Sequence, residues 1–222
     1  LEMASLGAKM HPRSIEIAAI NNVEMIIKHT IYESEGTRLN NKKIKMEIIS
    51  KEDGWAEQDP NYWWDCILKT FENLSEKNDF KFIRSIGISY QMHGLVAVDT
   101  NGDPIIPSII WCDSRAVEIG KKAEIKIKGE VLKNQILNSP GNFTASKLRW
   151  VYENDKKSFS KIYKIMLPGD FIIFKMTGKI STTPSGLSEG IMWDYNSNSI
   201  NNEILDIFDI NSFNLRFFIT FI

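Results

Sequence analysis

The chain has 222 residues, 43% hydrophobic and 25% charged, with a formal net charge of −1. That length and balance suit one well-packed domain or two small ones, and the near-neutral charge gives no electrostatic footprint for nucleic acid or an anionic membrane surface. The two cysteines, Cys66 and Cys112, are far apart and lack metal-ligand or CxxC spacing, which points to a reducing cytosol without disulfides; no apolar run reaches the roughly 18 residues of a membrane span and no signal peptide is visible, so the expected location is the cytoplasm.

Leu1-Glu2 ahead of Met3 reads as a cloning remnant. Ile15 to Ile20, the Asn21-Asn22 pair and Val23 to Ile31 predict a hairpin of two strands. Glu33 to Lys45 is polar and predicts a solvated loop, with a third strand at Met46 to Ile49. Asp59-Pro60 then opens a helix. Tyr62, Trp63, Cys66, Ile67, Phe71 and Leu74 recur in it at three- and four-residue spacing, as in a helix that packs on a sheet.

The apolar run Phe82, Ile83, Ile86, Ile88 predicts a buried strand, after which polar side chains gather at Gln91 and His93. Leu95 to Val98, the Asn-Gly turn Asp99 to Asp103 and the return Ile105 to Trp111 predict a second hairpin. Asp113 and Ser114 are candidate caps for a helix running to about Leu137, whose lysines (Lys121, Lys122, Lys126, Lys128, Lys133) are expected in solvent. Ser139-Pro140-Gly141 breaks the chain. Helices are then expected from Thr144, burying Leu148, Val151 and Tyr152, from Ser158 to Tyr163, from Asp170 to Met176 with Gly178 as its stop, and from Asn201 to Ile207. Phe213 to Ile222 is apolar and aromatic with one charge, an aggregation hazard unless buried. The mixture gives an α/β fold.

Several of these segments together resemble one family. Gln91-Met92-His93-Gly94-Leu95 followed by Trp111-Cys112-Asp113-Ser114-Arg115 resembles the sugar-binding core of the FGGY carbohydrate kinases, and the Met-His-Gly form is typical of the xylulokinases among them. Gly54 to Pro60 with Trp63-Trp64, Thr144 to Asn154 with Lys147 and Trp150, and Leu167 to Phe171 with Ser185 to Asp194 are similar to further family segments in the same order, although Asn142 departs from the residue that usually opens the Thr144 signature. The resemblance runs from about Gly54 to Asp209. It implies a ribonuclease-H-like lobe of the actin and hexokinase type, a mixed sheet with flanking helices, and a reaction in which ATP and D-xylulose give D-xylulose 5-phosphate and ADP.

It also implies ATP and Mg²⁺ as cofactors, held in part by a phosphate loop of the form Asp-x-Gly-Thr/Ser-Thr/Ser-x-x-Lys in the first hairpin. Framed on Leu6-Gly7 and Ser14-Ile15, the Asp falls on Lys9, the Gly on His11, the next position on Pro12 and the Lys on Glu16, leaving Ser14 as the one cofactor-side candidate. Pro12 has no N–H to donate, Lys9 cannot ligate Mg²⁺ as a carboxylate does, and Glu16 would repel phosphate. The family's catalytic Asp and adenine-binding lobe are expected beyond Ile222, as if a frameshift near Asn211 had cut the chain short, so residues 1–222 are expected to form the N-terminal domain alone. An impaired kinase is therefore expected. No catalytic residue or metal ligand is assigned, and the surface left by a missing lobe would invite a homodimer.

By resemblance, substrate contacts fall on Met92, His93, Gly94, Asp113 and Asn142. His93 can donate and accept, so it could orient a sugar hydroxyl, or it is a satisfied structural group at a strand end. Met92 is core filler unless the motif pairs it with His93. Asp113 is a helix N-cap or a polar contact in the sugar cleft, Arg115 pairs with a carboxylate, Asp170 caps a helix, and the six tryptophans are core, with Trp55 placed where it could cover a sugar face. A non-catalytic sugar-binding module, a kinase for another pentulose or polyol, and a degraded gene product are the alternatives. Dinucleotide, acyl-transfer and metal-hydrolase readings lack their motifs: there is no G-x-G-x-x-G after a strand, no G-x-S-x-G and no H-E-x-x-H.

Overall fold

Arg13–Asn21 (β1) and Glu24–Glu33 (β2) form the expected antiparallel hairpin, with Ile15 opposite Ile31 and Ile17 opposite His29. The computed structural model describes residues 13–21, 24–33, 38–76, 80–127, 129–210 and 220–221, which divide between two compact units: Leu1–Glu47 with Asn61–Gln91, and Ile48–Pro60 with Met92–Ile222.

In the first unit the stretch expected as a solvated loop is instead a strand. Arg38–Lys45 (β3) pairs antiparallel with β2 from Ile26↔Lys45 to Tyr32↔Arg38, and the third strand expected at Met46 to Ile49 is reduced to a single bridge between Ile49 and Glu57. A ladder needs a backbone partner more than it needs apolar side chains, and lysines are at home on an edge strand. Ile83–Ser89 (β5) lies parallel beside β1, giving the order β3-β2-β1-β5, three antiparallel strands and a parallel fourth. β5 was expected to be buried, yet Ile86 is 41% exposed. The apolar run predicts strand conformation; whether something covers it is decided elsewhere. Pro60–Ser75 (α1) begins on its proline, whose missing N–H costs nothing in a first turn, and buries Trp63, Cys66, Ile67 and Leu74 on one stripe. Thr70 shares that stripe by donating its hydroxyl to the Cys66 and Ile67 carbonyls.

The second unit is built on short ladders. Glu57–Gln58 (β4) pairs with Ser108–Ile109 (β7), and Val96–Val98 (β6) pairs with Lys164–Met166 (β8). The predicted turn after β6 is present. Asp99 Oδ1 accepts from the N–H groups of Asn101 and Asp103, Gly102 takes φ 85°, and the chain returns along β6 through Ile105 N–H to Ala97 O at 2.9 Å. The return leg makes bridges only, and the longer ladder of β6 runs to β8.

The helix expected from Asp113 to Leu137 is broken into Val117–Lys126 (α2), then Gly129–Val131 (α3) and a π-helical turn Leu132–Ile136, because Ile127 turns extended after α2 and Leu137 is left-handed. Lys121, Lys122 and Lys126 are exposed, as expected. Thr144–Asn154 (α4) follows the Pro140-Gly141 break and buries Leu148 and Val151. Lys156–Phe159 (α5) starts two residues earlier than expected, since Asp155 caps it by accepting from Ser158 N–H, and the chain is already in β8 by Lys164. Pro168–Thr177 (α6) ends on left-handed Gly178; Ser181–Thr182 (β9) and Pro184–Glu189 (α7) follow, then the pair Trp193–Asp194 (β10) and Ser199–Ile200 (β11). Asn202–Ile207 (α8) is capped by Asn201, and Thr220–Phe221 (β12) pairs parallel with β9. Leu95, Ala97, Ile109, Leu148, Val151, Phe159, Trp193, Leu205 and Phe208 belong to one buried cluster, so β6, β7, α4, α5, β10 and α8 share a core.

Of the expected phosphate-loop frame, Lys9, His11 and Pro12 lie outside the described residues, while Ser14 and Glu16 fall in β1, opposite Tyr32 and Thr30. The rest of the apolar end, 213–219 and 222, also lies outside them. No helix among the described residues is long and apolar enough to cross a membrane.

Candidate functional site

The corner Met92-His93-Gly94 leads into the first ladder of the second unit, and three helices meet on it. Thr144, at the start of α4, donates its hydroxyl to Gly94 O at 3.2 Å, and one turn later the Lys147 ammonium donates to His93 O at 2.5 Å. From the end of α7, the Glu189 carboxylate accepts from His93 N–H at 2.6 Å. Pro168, at the start of α6, lies over Gly94 so closely that a β-carbon there would sit 2.5 Å from its Cγ. Glycine at 94 is therefore a packing requirement.

His93 itself is half-buried with φ 60°, a left-handed conformation that a residue with a β-carbon adopts only at a cost. Its Nδ1 lies 3.3 Å from Glu189 O, and its ring meets the Phe143 ring edge-on at 3.8 Å between centroids. A carbonyl can only accept, so Nδ1 carries the proton and Nε2 is left as an acceptor. Burial, reinforced by the Lys147 charge, pushes the imidazole down to about 4, so His93 is neutral at physiological pH. Met92 beside it is 54% exposed. Asn142, in the turn that precedes α4, is half-buried, and its Oδ1 is shielded from solvent without a hydrogen-bond partner among the described residues.

Asp113 is placed differently from either expectation. The residue flanking α2 is Ala116, so Asp113 does not cap the helix. Its carboxylate is 0% exposed and accepts from Ala56 N–H at 2.6 Å, from Arg115 N–H at 2.9 Å and from the Arg115 guanidinium, which leaves it no open face toward a ligand. Arg115 pairs with a carboxylate as expected, and in fact with two, since Glu57 Oε1 takes its Nη1 at 2.9 Å. The guanidinium lies 3.7 Å from the Trp55 ring centroid and 4.9 Å from that of Trp150. Trp55 thus stacks on an arginine, an occupant the sequence did not indicate. Together with Ser114 N–H to Gly54 O at 2.8 Å, this network ties the 54–57 segment to the loop after β7.

Asp170 is the third residue of α6, not its cap, but it performs a capping contact by accepting from Leu167 N–H at 3.3 Å and from the Thr182 hydroxyl at 2.9 Å. Burial raises its carboxyl from 3.8 to about 6 despite both bonds. A raised carboxylate favours folding while it is protonated: the contribution is full below pH 4 and is lost as pH rises through about 6. Asp170→Asn is therefore expected to be more stable than the parent above pH 6, by up to about 3 kcal/mol, with the difference closing toward pH 4. Urea denaturation across that range checks it, and parallel stability curves would sink the assignment.

The model of the FGGY family of carbohydrate kinases, N-terminal domain, matches residues 24–216. The chain belongs to the FGGY family of carbohydrate kinases. It is 28% identical to a xylulose kinase of Staphylococcus xylosus over 189 residues, 83% of this chain and 38% of that protein, and 30% identical to one from Lactococcus lactis over 190 residues, 83% and 37% of the two chains. The chain thus spans well under half the length of the curated relatives it matches. A solved xyloylose kinase from Brucella ovis superimposes with TM-score 0.82 at 22% identity over 95% of this chain and 43% of its own, a likeness of fold. The α/β, ribonuclease-H-like architecture expected from the sequence is therefore the one this FGGY chain has.

The sequence gives no role to Lys147 or Glu189, although both fall in segments that resemble the family. A signal for the first was available: Thr144, Lys147, Leu148 and Val151 lie at the spacing of one helix face, so a lysine there is directed inward. Glu189, last in a short polar helix, is marked only by its place in the Ser185 to Asp194 segment. No group of three or more His, Cys, Asp or Glu side chains among the described residues could hold a metal ion, so these residues offer Mg²⁺ no ligand set of that kind.

Proposed function

We propose that this FGGY chain supplies the sugar-holding part of a xylulose kinase, in which the terminal hydroxyl of D-xylulose attacks the γ-phosphorus of ATP, the bond to ADP breaks, and D-xylulose 5-phosphate forms as the hydroxyl loses its proton. The observation that carries the reading is the Met92-His93-Gly94 corner, whose one neutral imidazole has a fixed acceptor nitrogen. A neutral Nε2 accepts a hydrogen bond from a sugar hydroxyl without competing for its proton, so it orients the sugar. Positioning of this kind supplies much of the rate in phosphoryl transfer. Met92 offers an exposed apolar flank for the C–H face of the sugar. The base that takes the hydroxyl proton and the residues that hold ATP are not assigned to this chain.

The test is titration of the full chain with D-xylulose, followed by tryptophan fluorescence, in the parent and in His93→Gly. Glycine adopts φ 60° freely, so the variant removes the imidazole without straining the corner. Saturable binding in the parent, lost in the variant while the unfolding midpoint is kept, is expected. Equal binding by both chains, or none by the parent, overturns the reading. ADP release with ATP then separates a kinase from a sugar-binding module, for which binding without turnover would speak.

A further inference from the structure

We infer that Lys147 and Glu189 are paired positioning residues that hold His93 in its left-handed backbone conformation and fix its Nε2 as the acceptor presented to the ligand. The inference rests on the sugar-site reading only for the ligand used in its test. A non-glycine residue at φ 60° costs of order 1–3 kcal/mol and persists only where its surroundings over-determine it. Here both backbone polar groups of the strained residue are bound by ions of opposite sign. Its N–H goes to the Glu189 carboxylate at 2.6 Å and its carbonyl receives the Lys147 ammonium at 2.5 Å. Charge-assisted bonds of this length are roughly twice as strong as neutral ones.

Burying this lysine is offset by the nearby carboxylates of Asp113 and Glu189 as well as by the His93 carbonyl. Lys147 is 0% exposed on a helix face shared with Leu148 and Val151, where a methionine would fill similar space without burying a charge. Glu189 acts twice, since its own carbonyl receives the His93 Nδ1 proton while its carboxylate holds the backbone N–H. If the backbone relaxed to an ordinary right-handed or extended conformation, both ionic bonds would break and the ring would leave the Glu189 carbonyl. Phe143, edge-on at 3.8 Å, walls the imidazole on one side. Behind the clamp Ile191 is separately left-handed at φ 63°, and Gly190 O accepts from Ala145 N–H at 3.2 Å, which ties the end of α7 to the start of α4.

The experiment is nitrogen NMR of the full chain labelled with ¹⁵N-histidine at neutral pH, with His11 and His29 as internal references and His93→Gly to assign the signal, alongside D-xylulose titration. In the parent, His93 is expected as a single neutral tautomer protonated at Nδ1. In Lys147→Met and in Glu189→Ala the signal is expected to move toward the Nε2-protonated form common in water, with D-xylulose affinity falling about tenfold or more and the far-UV circular dichroism unchanged. Glu189→Gln keeps an acceptor oxygen and is expected to retain the parent tautomer. An Nε2-protonated parent, or a parent-like tautomer in both Lys147→Met and Glu189→Ala, overturns the inference. Should Lys147→Met fail to fold, Glu189→Ala decides alone. Should the parent bind no D-xylulose, the sugar reading falls, and the tautomers still judge the clamp.

Discussion

Arg115→Ala is expected to lower the unfolding free energy by about 3–5 kcal/mol. The guanidinium is 3% exposed and stands between Asp113, which is fully enclosed, and Glu57, which is nearly so. Removing the cation leaves two carboxylates in a poorly hydrated space with a shared repulsion, and it empties the slot between Trp55 and Trp150. Arg115→Lys is expected to recover only part of the loss. A single ammonium cannot span two carboxylates at 2.6 and 2.9 Å, and it lacks the flat face that stacks on indole. Guanidinium chloride denaturation measures both. A loss below about 1 kcal/mol for the alanine variant would place the network with surface ion pairs, and would sink the view that it fastens the 54–57 segment.

Gly120→Ala should reverse the usual sign of its substitution. In an open helix this change stabilises by about 0.5–1 kcal/mol. Here a β-carbon would stand 1.7 Å from Gly141 O and 2.5 Å from its carbonyl carbon, so α2 and the turn before α4 must part. Backbone cannot swing aside as a flexible side chain would, and the expected cost is about 1–3 kcal/mol or more. That turn carries Asn142 and Phe143, and Phe143 walls the His93 ring, so D-xylulose affinity is expected to fall with stability. A midpoint in thermal unfolding at or above that of the parent would show that helix and turn are not in contact at Gly120.

Part of the site is legible in the sequence alone. The Gln91 to Gly94 corner is marked by an abrupt change from apolar to polar residues, and the structure places an unusual backbone there, at His93. Local chemistry also reads correctly where one segment settles its own conformation: Pro60 at the start of α1, Asp99 turning the chain through Gly102, Gly178 stopping α6 and the helix expected from Asn201 to Ile207, found as α8. In each of these the signal and the group it satisfies are at most a few residues apart.

What failed to read did so for the opposite reason. Arg38–Lys45 has a loop's composition and becomes β3 because β2 offers it a ladder, while β5 has a core strand's composition and lies at an edge of its sheet. Asp113 looked like a cap and is a buried partner of Arg115, reached also by Ala56 from 57 residues away. The groups gripping His93 lie 54 and 96 residues from it along the chain. The sequence by itself determined the class of fold, the local turns and helix ends, and the place of the Gln91 to Gly94 corner, since periodicity and capping act over one or two turns. Only the tertiary structure decided which charges are buried, what they hold and how the imidazole is aimed, because those energies depend on partners that no local pattern records.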